Sequence, residues 1–158
     1  MSKLSKSAQK VQSALEKHGL ALLVVELPKS TRTAVEAASA VNCQVGQIVK
    51  SLIFKTVESH RPVLILTSGA NRVNEKAVGE IIGEAISRAS ASFVREKTGF
   101  AIGGVAPIGH KEKPLTYIDQ DLLAYNEIWA AAGTPHAVFK LTPEQLRQAT
   151  QGEVISVL

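Results

Sequence analysis

The chain has 158 residues, 45% of them apolar and 20% charged, with a formal net charge of +4. That length fits one domain able to bury a core without covalent staples, and the composition is ordinary for a soluble globular protein. Its one cysteine, Cys43, excludes an internal disulfide and a metal site built of cysteines, which favours an intracellular compartment.

The stretch Met1 to Lys6 lacks the apolar centre of a signal peptide, and the longest apolar run, Leu20 to Val25, is too short to cross a bilayer. A cytoplasmic protein without membrane contact is expected. The mild positive charge is compatible with a polyanionic partner without diagnosing one. Its small clusters, Lys3/Lys6/Lys10, Arg95/Lys97 and Lys111/Lys113, read as solvated surface.

A helix is predicted over residues 5–18, with Val11, Ala14, Leu15 and His18 on one face and Gly19 as its stop. A strand follows over 21–27, closed by Pro28. Thr33 and Glu36 form the ends of a capping box that opens a short helix over 34–41. The run Ile48-Val49-Lys50-Ser51-Leu52-Ile53-Phe54 begins a strand reaching residue 57. His60-Arg61-Pro62 turns it into a second strand over 63–67, a predicted hairpin. Asn74 caps a helix through Ile82, residues 86–89 form a short strand, and a helix over 92–97 ends at Gly99.

A glycine-rich segment, Gly103 to His110, comes next. Strands are predicted over 115–118, 127–132 and 136–141. Thr142-Pro143-Glu144-Gln145 supplies an N-cap, a proline at the first helical position and a capping-box partner, and residues 153–158 form a last strand. Several strand pairs have only turn-length connections and must be antiparallel. The expected fold class is therefore α/β: a single domain spanning 1–158, with a mixed, mostly antiparallel, barrel-like sheet and surrounding helices.

Lys50 is the residue that points to chemistry. In a strand it shares a face with Ile48, Leu52 and Phe54, where an ammonium is costly to desolvate without a partner. Either it faces something negative or carbonyl-like, or the face is half-buried and its stem snorkels to water. The glycines at 103 and 104 let backbone approach a ligand and aim amides at an oxygen, with Pro107 stiffening the loop; a tight turn between strands is the plainer reading. His136 either lines a pocket or is a half-exposed residue at a strand entrance. His110, next to Lys111, reads as part of a basic rim. Asp119 reads as a helix cap, or as an orienter of Lys50 or of a substrate amine. Cys43 follows a helix C-terminus, which raises a thiol pKa, so an incidental role is expected. No nucleophile elbow, Walker loop, zincin motif or dinucleotide fingerprint is present, and no metal or cofactor is expected.

Three ordered segments together resemble the YbaK/prolyl-tRNA-synthetase-associated domain family: Gly46 to Phe54, Val73 to Lys76, and Thr98 to His110. The resemblance runs from about Gly46 to the C-terminus. It implies a free-standing, trans-editing aminoacyl-tRNA deacylase that clears mischarged tRNA, above all tRNA(Pro) carrying alanine, cysteine or another small amino acid. It implies aminoacyl-tRNA, and possible contact with prolyl-tRNA synthetase, as partners. The family lysine falls on Lys50 and the G-x-x-x-P loop on Gly103, Gly104, Val105, Ala106 and Pro107. Lys50, Gly103 and Gly104 are then the catalytic set. Ser51, Val105, Ala106, Pro107 and His136 are the substrate-binding set. Two other readings stay open: a non-catalytic module that binds tRNA or a synthetase, and hydrolysis of a small nucleotide or acyl ester.

Overall fold

The computed structural model describes residues 4–158. Helix α1 (Lys6–Lys17) starts where the Ser5 hydroxyl accepts from the Ala8 amide, and it buries Ala8, Val11 and Leu15. His18, expected on that face, is exposed because it caps the helix end, where the chain turns away from the core. Of the Lys3/Lys6/Lys10 cluster, Lys3 lies outside the described residues.

Strand β1 (Val24–Glu26) is shorter than the predicted 21–27. Along its outer edge the Gln12 side chain holds the chain: its Nε2 donates to the Leu22 carbonyl at 2.9 Å and its Oε1 accepts from the Val24 amide at 2.8 Å. A side chain thus takes backbone groups that a neighbouring strand would otherwise use. Helix α2 (Ala34–Val41) begins at Thr33, whose hydroxyl accepts from the Glu36 amide, and ends at Asn42 in the left-handed region.

A single 3-10 turn, Val45–Gln47, delivers the chain into β2 (Ile48–Thr56). The predicted hairpin is present: β2 pairs antiparallel with β3 (Pro62–Ser68), and His60 takes a positive φ of 55° in the turn. Every residue of β3 is buried, the apolar run Pro62 to Leu66 and the polar Thr67 and Ser68 alike. Helix α3 (Glu75–Ile82) is capped by Asn74, β4 (Ile86–Arg88) pairs with the end of β2, and α4 (Ala91–Thr98) stops at Gly99. The chain continues through β5 (Leu115–Asp119), β6 (Ile128–Ala131), β7 (Ala137–Leu141), α5 (Pro143–Thr150) and β8 (Glu153–Ile155).

The eight strands form one mixed sheet in the order β1-β7-β6-β2-β3-β5-β8, with β4 attached to β2. Its parallel pairs are β2 with β6, β3 with β5 and β5 with β8; the others are antiparallel. The sheet is not closed into the expected barrel-like form: among the described residues β1 and β8 end it without pairing to one another. The main core lies between the sheet and α1, α4 and α5, built on Leu64, Leu66, Phe100, Phe139 and Leu146.

Leu66 is fully buried in the central ladder, whereas Leu23 is 78% exposed. Leu66→Ala should lower unfolding free energy by about 2–5 kcal/mol through the cavity it leaves. Leu23→Ser should stay within about 0.5 kcal/mol. Urea denaturation of both variants checks this contrast.

Candidate active site

The site begins with a gap in the sheet. On one edge β2 pairs with β3 continuously from Val49 to Lys55. On the other edge β6 meets only Ile48 and Val49, and β4 meets only Phe54 to Thr56. Lys50 to Ile53 therefore have no strand beside them there, and a cavity of about 550 Å³ opens at the split. Lys50, Ser51, Leu52 and Ile53 all line it, together with Trp129, Ala130, Val94 and Val138.

Lys50 is half-buried, and its ammonium ends on a carbonyl: Nζ donates to the Asn71 backbone oxygen at 2.5 Å. Asn71 is itself held, its Nδ2 donating to Asp119 Oδ2 at 2.9 Å and to Asp121 Oδ2 at 2.8 Å. Asp119 is 1% exposed and also accepts from the amides of Ser68 and Asp121. Asp119 thus caps the 3-10 turn Gln120–Ala124 and, through Asn71, braces the segment that positions Lys50. Burial pushes the Lys50 pKa down, the nearby Arg72 guanidinium pushes the same way, and the Asp119 carboxylate opposes both.

The glycine-rich loop forms the facing wall. Gly103 lines the cavity at φ 94°, a conformation that favours glycine, with the Arg32 side chain against it. Gly104 is buried on the backbone of Thr134, so closely that a Cβ would lie 2.9 Å from the Thr134 Cα. The Gly104 amide donates to the Ala101 carbonyl at 3.1 Å. It is therefore engaged, and the expected pair of free donors, Gly103 and Gly104, is not what the loop offers. Among the described residues the amides of Ile102, Gly103 and Val105 make no hydrogen bond, and all three residues line the cavity.

Ala106 and Pro107 are buried behind the cavity wall. His110 is not a rim residue. Its Nε2 lies 2.5 Å from the Ala106 carbonyl, which can only accept, so Nε2 carries the proton. The ring stands edge-on to Phe100 at 5.6 Å and 74°, and Nδ1 is buried without a partner among the described residues. Burial pushes the imidazole pKa down, the bond to Ala106 opposes this, and Lys10 pushes further down.

His136 stands apart from this group. It is exposed, with Nδ1 3.1 Å from the Lys29 carbonyl, and does not line the cavity. The fold brings Lys50, Ser51, Gly103 and Val105 to one cavity and leaves Gly104, Ala106, Pro107 and His136 outside its lining. Arg32, Arg72, Arg88 and Glu75 join the lining without having been anticipated. No periodic pattern marks them, since each sits in a loop or at an element end. The Ser51 hydroxyl is buried without a partner among the described residues. No group of three or more His, Cys, Asp or Glu among those residues is arranged to hold a metal ion, and no helix is long and apolar enough to cross a membrane.

A sequence profile for the aminoacyl-tRNA editing domain matches residues 28–149. YwhH, an uncharacterized protein of Bacillus subtilis (strain 168), is 30% identical over 131 residues, 83% of each chain. A protein of Enterococcus faecalis (strain ATCC 700802 / V583), provisionally named Cys-tRNA(Pro)/Cys-tRNA(Cys) deacylase EbsC, is 25% identical over 79% of this chain and 76% of its own. A crystal structure provisionally assigned as a trans-editing enzyme for prolyl-tRNA synthetase superposes with a TM-score of 0.92, at 49% identity over 98% of both chains.

Two outcomes follow from the charges. Arg72→Gln should raise the Lys50 pKa toward the ordinary lysine value, and Asp119→Asn should lower it further; an NMR titration of labelled lysine side chains reads both. For His110, the unfolded chain binds a proton near pH ~6.5 and the folded chain only at lower pH. The unfolded state then holds more protons, so stability falls as pH drops below ~6.5. His110→Phe should flatten that part of the pH dependence, measured by urea denaturation across the range.

Proposed function

The chain belongs to the aminoacyl-tRNA editing domain family, and from that premise we propose that it is a trans-editing deacylase, hydrolysing the ester between a wrongly attached amino acid and its tRNA. The substrate we propose is tRNA(Pro) carrying alanine, cysteine or another small amino acid. The observation that carries this reading is the cavity itself, whose lining joins a carbonyl-anchored lysine to loop residues, Gly103 and Val105 among them, with uncommitted backbone amides.

The cavity volume falls within the roughly 300–1,000 Å³ typical of small-molecule sites, which suits an aminoacylated terminal adenosine. Its charged lining is three arginines and one lysine against a single carboxylate, Glu75. That balance suits a ligand whose backbone is anionic. Apolar residues such as Val49, Trp129 and Val138 supply the surface for a side chain. An apolar pocket discriminates one methylene by only about 1–3 kcal/mol, so rejection of a larger, correct amino acid must rest on clash.

An ester needs no strong nucleophile. Water attacks the acyl carbon, the carbonyl oxygen becomes an oxyanion, and the bond from carbon to the ribose oxygen then breaks. The departing ribose oxygen takes a proton originating from the attacking water, relayed through the adjacent ribose hydroxyl. The products are the free amino acid and uncharged tRNA. The Gly103 and Val105 amides are the donors for the oxyanion, a contribution typically worth 10²–10³ in rate for one such donor. Lys50 holds a phosphate or polarises the carbonyl as a fixed cation and forms no covalent bond.

Incubation with Ala-, Cys-, Ser- and 2-aminobutyryl-tRNA(Pro) should release amino acid from at least one. Lys50→Ala should slow that release by about 10² or more, and added salt should weaken tRNA binding. Binding without turnover of any member would instead identify a tRNA-binding module. Unchanged turnover in Lys50→Ala would remove the lysine from the mechanism.

A further inference from the structure

The gap in the sheet leaves Ser51 with its amide, its carbonyl and its hydroxyl all unspent among the described residues. The Thr56 amide donates to the Arg61 carbonyl, and the Ile48 carbonyl accepts from the Gly69 amide. Even-numbered residues of β2 therefore aim their N–H and C=O at β3, and odd-numbered ones aim them at the opposite edge. On that edge Val49 pairs with β6 and Lys55 with β4. Two odd-numbered residues, Ser51 and Ile53, have no strand beside them there, and of the two only Ser51, opposite Leu66 on the β3 side, adds a polar side chain. Its amide and carbonyl thus point into the gap, and its buried hydroxyl also lacks a partner among the described residues. Unpaired polar groups at the lining of a cavity are costly unless a ligand or water meets them.

The gap also has a size. Only Lys50 to Ile53 lie between the last β6 pairing and the first β4 pairing, about 13 Å of strand at roughly 3.3 Å per residue. A peptide longer than about four residues, adding itself as a strand, would run into β6 or β4. A single aminoacyl group lies within that span. In an antiparallel ladder a bonded pair exchanges two hydrogen bonds through the N–H and C=O of a single residue on each side. An aminoacyl ester carries that same pair of groups, an amino nitrogen and a carbonyl on neighbouring carbons.

We propose that the aminoacyl group of the substrate binds in the gap between β6 and β4 as the rung opposite Ser51, its amino nitrogen donating to the Ser51 carbonyl and its ester carbonyl accepting from the Ser51 amide. This rests on the deacylase reading above and adds the part of the substrate that is read. The Ser51 amide then holds the oxygen that becomes the oxyanion, joining the Gly103 and Val105 amides. Recognition runs through main-chain groups common to all amino acids, leaving the side chain to be sorted by the cavity walls.

Two measurements test it. Titration of ¹⁵N-labelled protein with non-hydrolysable 3′-deoxy-3′-(L-alanylamino)adenosine should shift the Ser51 amide resonance. The 3′-propionylamino analogue, which lacks the amino nitrogen, should bind about tenfold more weakly. Second, replacing Ser51 by its α-hydroxy acid analogue removes only the N–H, which has no ladder partner. Folding should survive, while kcat/KM on the fastest member of the mischarged tRNA(Pro) panel should fall about tenfold or more. The same replacement at Leu52, whose N–H faces β3, should instead destabilise the fold. A Ser51 resonance unmoved at saturation, or full activity in the Ser51 analogue, overturns the proposal. A shifted Ser51 resonance with no turnover on the panel leaves this contact standing and removes the deacylase reading.

Discussion

The ladder between β2 and β3 governs the site because it fixes parity along β2. With Val49 opposite Ser68 and Lys55 opposite Pro62, each residue has both a face and an edge assigned. Lys50 falls on the side of Asn71 and Ser51 on the side of Val49 and Ile53, which pack into the main core. A slip of one residue would exchange their faces and turn the Ser51 amide onto β3. The fully buried β3 and its parallel neighbour β5 make such a slip costly, since every side chain of β3 would have to be repacked.

Around this ladder the charges are arranged in two tiers. Asp119, buried and accepting from two amides and the Asn71 side chain, is neutralised by hydrogen bonds rather than by an ion pair. Through Asn71 it fixes where the Lys50 ammonium ends without touching it. The lysine therefore keeps its charge uncommitted to a carboxylate among the described residues, near the Arg72 guanidinium. A site with a surplus of cations held in place by backbone oxygen is poised for an anionic or electron-rich ligand.

Much of this was legible in the sequence, and what was not has a common cause. The caps at Thr33, Asn74 and Thr142 and the hairpin around His60 are local signals, and the elements start and turn where those residues require. Lys50 was conspicuous because it breaks an apolar run. The gap beside it was not, because it depends on where β6 and β4, some 40 to 80 residues downstream, stop pairing. The spent amide of Gly104 and the imidazole of His110 behind Ala106 are likewise set by tertiary contacts. Histidines at 110 and 136 look alike as sequence, each beside a turn. Packing alone buries the first under the loop and leaves the second at the surface.

The side chain of Gln12 also bears on how molecules meet one another. The even-numbered backbone groups of β1 face away from β7, since Leu27 donates to His136 on the inner side. Gln12 occupies two of these outward groups, on Leu22 and Val24, and the Glu26 carboxylate on the same strand accepts from the Ser5 amide. An edge strand left bare is a template on which a second molecule can add its own strand and begin to aggregate. Helix α1 thus acts as a guard rail on an otherwise sticky margin. Weakening that guard at Gln12 would show up first as a loss of solubility at high protein concentration, before any loss of fold.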